Sequence, residues 1–377
     1  MGKHALLSAS SSHRWLNCPP SARLCENYAD QSSGYAAEGT EAHVLCEYKL
    51  KTALGMPSHN PIAHLSFYSD EMENCAADYA SFILELVATA KQSGSSPLVL
   101  IEQRLDFSRY VPSGFGTGDC VIIADGMLHV IDYKHGQGVL VESEENPQMM
   151  LYALGALELF DHLYDIAAVS MTIYQPRREN ISTYTISKEH LYKWAEEMLK
   201  PAAGLADAGE GEYQCGEWCQ FCKAKHACRK RAEKSMELAR YDFKPPPLLE
   251  DDEIETILRE IDAVISWATD IKDYALQAAI VGKEWNGWKL VEGRSNRRYI
   301  NDEQVVQAVQ QAGYDPFEHK VMGITAMEKT LGKSTFAELL SSLVEKPQGK
   351  PALVPANDKR PAINNAKNDF MEEYHHG

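Results

Sequence analysis

Apolar residues recur at three- and four-residue spacing through "AEGTEAHVLCEYKLKTAL" and "NCAADYASFILELVATAKQ", so residues 1 to about 95 read as helical. Near Pro97 the period changes. "LVLIEQRLDF" reads as a strand, "GTGDCVIIADGMLHVIDYKHG" supplies two more, "NPQMMLYALGALELF" returns to helical spacing, and "IAAVSMTIYQP" is another β-rich run. Helix, three strands, helix and strand in that order describe an α/β core. A helix around Glu189 to Leu199 leads into "CGEWCQFCKAKHACRKRAEK", after which "DFKPPPLLEDDE" joins a proline run to an acidic run, as a domain boundary does. The pattern divides the chain into a domain over 1–240, a linker over 241–253, and a mainly helical domain over 254–345 with a β-like piece near "WNGWKLVEG". A Pro/Asn/Lys-rich tail over 346–377 is too polar to build a core alone.

The second and third strands carry the candidate chemistry. Asp125-Gly126 is the dipeptide preferred in a two-residue type I′ hairpin turn. With those two residues as the loop, positions whose numbers sum to 251 face each other, and Asp119 and Asp132 do. The two would be directly opposed, with Cβ atoms about 4.5–5.5 Å apart. Lys134 shares the Asp132 face with Val121, Ile123, Leu128 and Val130, while Cys120, Ile122, Met127, Ile131 and Tyr133 line the other. Two carboxylates so close repel, and Mg²⁺ or Mn²⁺ between them removes the difficulty. Such an ion polarises a phosphodiester and acidifies a bound water, and Lys134 can orient the nucleophile or stabilise charge on phosphate. The same residues admit a plainer account, in which Asp119 caps the strand and Asp132 and Lys134 form a solvated ion pair. Glu102, in "LIEQRLDF", is either an accessory acid or, more simply, a strand-edge carboxylate.

Composition narrows the setting. With 377 residues and 44% hydrophobic content the chain can fill a real core. No apolar run approaches a membrane span and no leader is visible, so the expected location is the cytoplasm, without membrane attachment. A net charge of -17 argues against coating nucleic acid by bulk charge, though a local basic patch can still bind it. Lys223, Lys225, Arg229, Lys230, Arg231 and Lys234 form one such patch, read either as a solvated helix face or as a phosphate-contacting surface; Arg294, Arg297 and Arg298 form a weaker one. "LGKST" looks like a phosphate-binding loop, but the earlier glycine it needs is replaced by Met327, and "GFGTGD" lacks the dinucleotide spacing, so no nucleotide cofactor is expected.

Nine cysteines, an odd number, favour metal ligation over a disulfide framework. Cys215, Cys219, Cys222 and Cys228 give C-x3-C-x2-C-x5-C, whose spacing alone suits a four-thiolate zinc site. Cys25, Cys46, Cys75 and Cys120 have no metal spacing and read as packing residues.

"GTGD" followed by "IDYK" resembles the PD-(D/E)XK nuclease superfamily. "GTEAH", with His43, and "QMMLY", with Gln148 and Tyr152, match the branch similar to RecB-type nuclease domains and CRISPR adaptation nucleases. The resemblance implies an α/β restriction-endonuclease-like core, a mixed central sheet flanked by helices. It implies metal ligation by His43, Asp119, Asp132 and the Tyr133 carbonyl, with Lys134 assisting the attacking water and Gln148 and Tyr152 supporting substrate. RecB-type iron–sulfur nucleases hold a 4Fe-4S cluster through one Cys before the core and three after it. Cys18 in "WLNCPPSARL" with Cys219, Cys222 and Cys228 fits that order as a metal-cluster staple, leaving Cys215 surplus and Zn²⁺ as the alternative. The whole chain resembles a bacteriophage and prophage family of unknown function that accompanies phage replication genes. The expectation is a metal-dependent DNA nuclease, an exonuclease on single-stranded ends, working in a bacterial host's cytoplasm with DNA and phage replication or recombination proteins as partners. A non-catalytic DNA-binding scaffold and a zinc-stapled RNA-processing nuclease are the alternatives.

Overall fold

The two-residue turn expected at 125–126 would leave the flanking strands no choice of register, and the pairing observed is Ala124↔Met127 through Cys120↔Ile131, each pair summing to 251. Gly126 takes a positive φ of 72°, as that turn requires. The computed structural model describes residues 5–29, 34–92, 96–124, 126–239, 249–291, 300–311, 313, 315–317 and 321–344. Asp125, Arg294, Arg297, Arg298, most of the expected linker and the whole 346–377 tail lie outside them.

Four helices come first: α1 (Ser12–Asn17), α2 (Ser21–Glu26), α3 (Gly34–Ala53) and α4 (Asp70–Gln92). The strands β1 (Leu98–Asp106), β2 (Phe115–Ala124) and β3 (Met127–Tyr133) form an antiparallel meander. β4 (Ala168–Gln175) lies parallel to β3, and a parallel neighbour needs a crossover, which α5 (Pro147–Phe160) supplies. β5 (Asn180–Ser187) then returns antiparallel to β4, completing a five-stranded mixed sheet in the order β1-β2-β3-β4-β5. After it come α6 (Lys188–Trp194), a π-helical turn at Ala195–Leu199, α7 (Lys200–Ala208), α8 (Arg229–Ala239) and α9 (Asp251–Ile280).

Helices flank both faces of this sheet. Val121, Ile123, Leu128 and Val130 pack with Met149, Leu151 and Leu154 of α5 and with Leu199 and Ala203. Cys120, Ile122, Ile131 and Tyr133 pack with Leu45 of α3 and with Tyr79 and Ile83 of α4. The alternation read from the sequence therefore sorts the hairpin correctly into two cores. Burying each apolar side chain in them contributes about 1.5–3 kcal/mol.

Three features depart from the sequence reading. β5 is absent from it, because "NISTYTIS" is a Ser/Thr-rich alternation with Ile181 left exposed, which scores as loop by apolar content. Residues 285–291, in the β-like "WNGWKLVEG", form no strand. The first compact unit runs Met1–Val291 and so includes α9, beyond the proline–acidic stretch read as a boundary. Ion pairs explain this: Asp270 of α9 takes both Lys225 and Arg231. The second unit, Glu292–Gly377, contains α10 (Asp302–Gln311), α11 (Ile324–Leu331) and α12 (Lys333–Leu340).

Candidate metal centre and cysteine pocket

Asp119 and Asp132 come together at one end of the β2–β3 hairpin, but not as the directly opposed ladder pair expected. Paired register stops at Cys120↔Ile131. Beyond it the Asp119 carboxylate accepts the Tyr133 N–H at 2.7 Å, and its other oxygen lies 3.2 Å from His43 Nδ1 on α3. Asp132 is buried, with Oδ2 2.8 Å from Lys134 Nζ. Lys134 compensates the charge of that oxygen, although the two are not aligned as a good hydrogen bond. Both contacts of the plainer account are thus present, the strand cap and the ion pair; the pair, however, is buried rather than solvated.

α5 completes the arrangement. Asn146 caps it by accepting the N–H groups of Gln148 and Met149, with Pro147 in the first turn, and this fixes Gln148 beside β3. Gln148 bridges the ion pair: Oε1 accepts from Lys134 Nζ at 3.2 Å and Nε2 donates to Asp132 Oδ1 at 3.1 Å. One turn on, Tyr152 OH lies 3.3 Å from Gln148 Nε2. The glycines of "GTGD" explain how the helix comes so close. A Cβ on Gly116 would stand 2.6 Å from the Tyr152 ring.

Glu102 was the member that sequence left weakest. Pairing of β1 with β2 runs to Ile101↔Cys120 and resumes at Gln103↔Gly118, and between them Glu102 takes φ 51°, the left-handed region, in the middle of a strand. The distortion breaks alternation in β1: Leu98, Leu100 and Leu105 all pack against the same core. It also brings Glu102, Asp119 and His43 together, with one ligand atom from each within 4.8 Å of the others. No sequence pattern announces it, because extended periodicity gives no warning of a single left-handed residue.

Electrostatics match a site short of positive charge. Burial, with Asp119 nearby, pushes the Glu102 carboxyl up to about 7. Burial also raises Asp132, in spite of Lys134. Burial opposes the charged forms of His43 and Lys134, but Asp119 outweighs it at His43 and Asp132 at Lys134, so both stand above their ordinary values.

The cysteines divide differently from their spacing. A pocket is lined by Cys18, Cys219, Cys222 and Cys228, with Arg14, Trp218, Lys225 and Arg231 among the other walls. Cys215 is not among its lining residues, yet it stands next to them: burial, with Cys219 and Cys228 beside it, pushes the Cys215 thiol up to about 12. No three cysteine sulfurs lie within 4.8 Å of one another among the described residues, whereas tetrahedral Zn–S bonds of about 2.3 Å put sulfurs roughly 3.8 Å apart. Cys46, Cys75 and Cys120 pack in the core on the α3–α4 side of the sheet, as expected. Cys25 does more than pack: its Sγ lies 3.7 Å from Cys222 Sγ. Of the basic residues, Lys225 and Arg231 pair with Asp270, and Lys234 lies 4.0 Å from Glu260. Arg229 and Lys230 are exposed at the start of α8, as is Lys223 in the loop before it.

No helix among the described residues is long and apolar enough to cross a membrane. A solved structure titled "Crystal structure of SSO0001" matches 49% of this chain and 94% of its own at 13% identity, with a TM-score of 0.19, too low to carry an argument. A family model described as "Protein of unknown function (DUF2800)" matches residues 4–361, and the chain belongs to that family.

Proposed function

We propose that this DUF2800 member is a divalent-metal-dependent DNA nuclease of PD-(D/E)XK type, with single-stranded ends as the substrate class that its sequence resemblance implies. The observation that carries the reading is convergence. Separate elements α3, β1, β2, β3 and α5 bring His43, Glu102, Asp119, Asp132 and Gln148 to one place, with Lys134 against Asp132. Three carboxylates drawn together, one of them on a left-handed residue in mid-strand, repel one another more than His43 and Lys134 alone offset, and a divalent cation would balance them.

His43, Glu102, Asp119 and Asp132 are the side chains that would hold the ion, with the Tyr133 carbonyl on the same strand. Mg²⁺ or Mn²⁺ there supplies Lewis-acid charge for a phosphodiester and a more acidic water. Lys134, held protonated by Asp132, can donate to the nucleophilic water or a phosphate oxygen but cannot serve as a base. Gln148 fixes the Lys134 head group and Tyr152 fixes Gln148. Without an ion Glu102 stands near 7, so a cation held there would displace its proton.

For the cysteine pocket, a 4Fe-4S cluster on Cys18, Cys219, Cys222 and Cys228 is the reading favoured over zinc. Support comes from thiols before and after the sheet lining one pocket, the order that the sequence resemblance implies. Phage DNA replication, recombination or degradation in a bacterial cytoplasm is the setting proposed with it.

The test uses end-labelled single-stranded DNA, duplex DNA and RNA with Mg²⁺ or Mn²⁺, comparing wild type with Asp132→Ala and Lys134→Ala. Cleavage of DNA by wild type alone supports the proposal. Equal activity in all three proteins removes the site assignment. DNA binding without cleavage by wild type favours the scaffold reading, and a preference for RNA favours the RNA-processing one.

A further inference from the structure

The cysteine pocket contains a charge that its candidate ligands do not explain. Arg14, on α1, is only 9% exposed, and it lines the pocket together with Cys18, Cys219, Cys222 and Cys228. Its Nη1 donates to the Ser21 carbonyl at 2.8 Å, to Ser21 Oγ at 2.9 Å and to Cys25 Sγ at 3.3 Å. Cys25 Sγ in turn lies 3.7 Å from Cys222 Sγ. Among the described residues no carboxylate pairs with Arg14. The other two cations in the pocket wall, Lys225 and Arg231, are both taken up by Asp270.

A buried guanidinium that faces only carbonyl, hydroxyl and thiol groups is strongly disfavoured. An anion in the pocket would remove the penalty, and metal-bound thiolates are anions: four bring four negative charges, of which one divalent ion cancels two. A guanidinium suits a buried place because its charge is weakly hydrated, and here the single nitrogen Nη1 makes all three contacts, which an ammonium could also reach.

We propose that Arg14 is the buried counter-charge of the metal–thiolate group, acting on it through Cys25 and Cys222. It governs how tightly the metal is held and, where the metal is a redox cluster, how readily that cluster accepts an electron. The inference rests on the metal–thiolate reading above, and Arg14 is a positioning residue within it. Residues that support metal ligands commonly change metal affinity by about 10–100-fold when removed.

The experiment compares full-length wild type, Arg14→Gln and Arg14→Lys, purified anaerobically. Iron and zinc content, the rate of metal release to a chelator, and melting of the metal-loaded and metal-stripped forms are measured. Arg14→Gln should release its metal at least about tenfold faster, while Arg14→Lys stays within about threefold of wild type. The stripped forms of wild type and Arg14→Gln should melt together. In an iron-containing protein, Arg14→Gln should also lower the one-electron reduction equilibrium constant about tenfold, a shift of 59 mV to more negative potential.

A role confined to pinning α1 to α2 through Ser21 predicts the opposite pattern, with equal loss of stability in both forms and unchanged metal release. That result overturns the proposal and leaves the metal site standing. Wild type with neither iron nor zinc overturns both. Should Arg14→Gln fail to fold, Arg14→Lys decides: retained metal supports the counter-charge, and metal lost from a folded Arg14→Lys protein overturns it.

Discussion

The carboxylate site and the cysteine pocket are built on opposite plans. The first is assembled at the end of strands that pair without any ligand, and its members already hold one another: Asp119 to Tyr133 and His43, Asp132 to Lys134, Gln148 to both Asp132 and Lys134. The second is made from short helices and loops at the two ends of a 1–240 stretch, and its thiols meet one another and nearby backbone, Cys219 with Cys215 and Cys222 with Cys25, with no carboxylate paired to them among the described residues. On the proposed reading, the first site would precede its metal, while the second would depend on one. Metal at the carboxylates should matter to chemistry and hardly to the fold, and metal at the thiols should matter to the fold first.

The sharpest way to break this comparison is Asp132→Asn. It should cut DNA cleavage by at least about 10²–10³-fold, the usual effect of removing one preorganised electrostatic group, while circular dichroism stays that of wild type. A large loss of structure instead would mean that the strand site is not self-sufficient. The complementary change is Cys18→Ser, which unties the early helices from residues 219–228. It should cost about 2–5 kcal/mol, as opening a long covalent loop does, and lower the melting temperature by roughly 5–15 °C. Residual nuclease activity at low temperature is expected to persist.

Third comes pH. Glu102 and His43 both stand above their ordinary values, so the folded metal-free protein binds more protons than the unfolded chain between the ordinary carboxyl range and about 7. Stability without metal should accordingly fall as pH rises through that window. A divalent ion must displace the same protons, so its apparent affinity should rise over the same range, by up to about tenfold per unit for one proton. Calorimetric titration of Mn²⁺ at pH 5.5, 6.5 and 7.5 measures this, and Glu102→Gln should flatten the slope. A slope unchanged in that variant would remove Glu102 from the site.

Gly116→Ala is a smaller perturbation. Its methyl would meet the Tyr152 ring at 2.6 Å and force α5 or the ring to move, at about 1–3 kcal/mol in chemical denaturation. The smallest effect belongs to the surface: Arg229→Ala with Lys230→Ala should leave stability within about 0.5 kcal/mol and reduce the salt dependence of DNA binding by about one unit per charge lost.

Legibility in the sequence follows the same division. The hairpin register, its two apolar faces, and the nearness of Asp119, Asp132 and Lys134 could be read because a D-G turn and strict alternation are local rules, whereas Gln148 and Tyr152 came in only through the family resemblance of "QMMLY". Glu102 could not, since its place depends on one left-handed residue that interrupts that alternation. β5 was hidden by polar composition, and the membership of α9 in the first unit by an ion-pair hub on Asp270 whose partners lie about forty residues earlier. Arg14 and Cys25 were invisible for a related reason. Their meaning comes from Cys222, which no local pattern connects to α1 or α2.

Cys18 and Cys228 are separated by 210 residues, with the entire sheet between them. At about 5–20 residues per second, a ribosome takes roughly 10–40 s to deliver the last thiol after the first. Any metal group spanning them can close only once the strands and the crossover helix have been synthesised. Loading would then serve as a completion signal, because a chain that stops short of Cys228 lacks the last ligand whatever else it has folded.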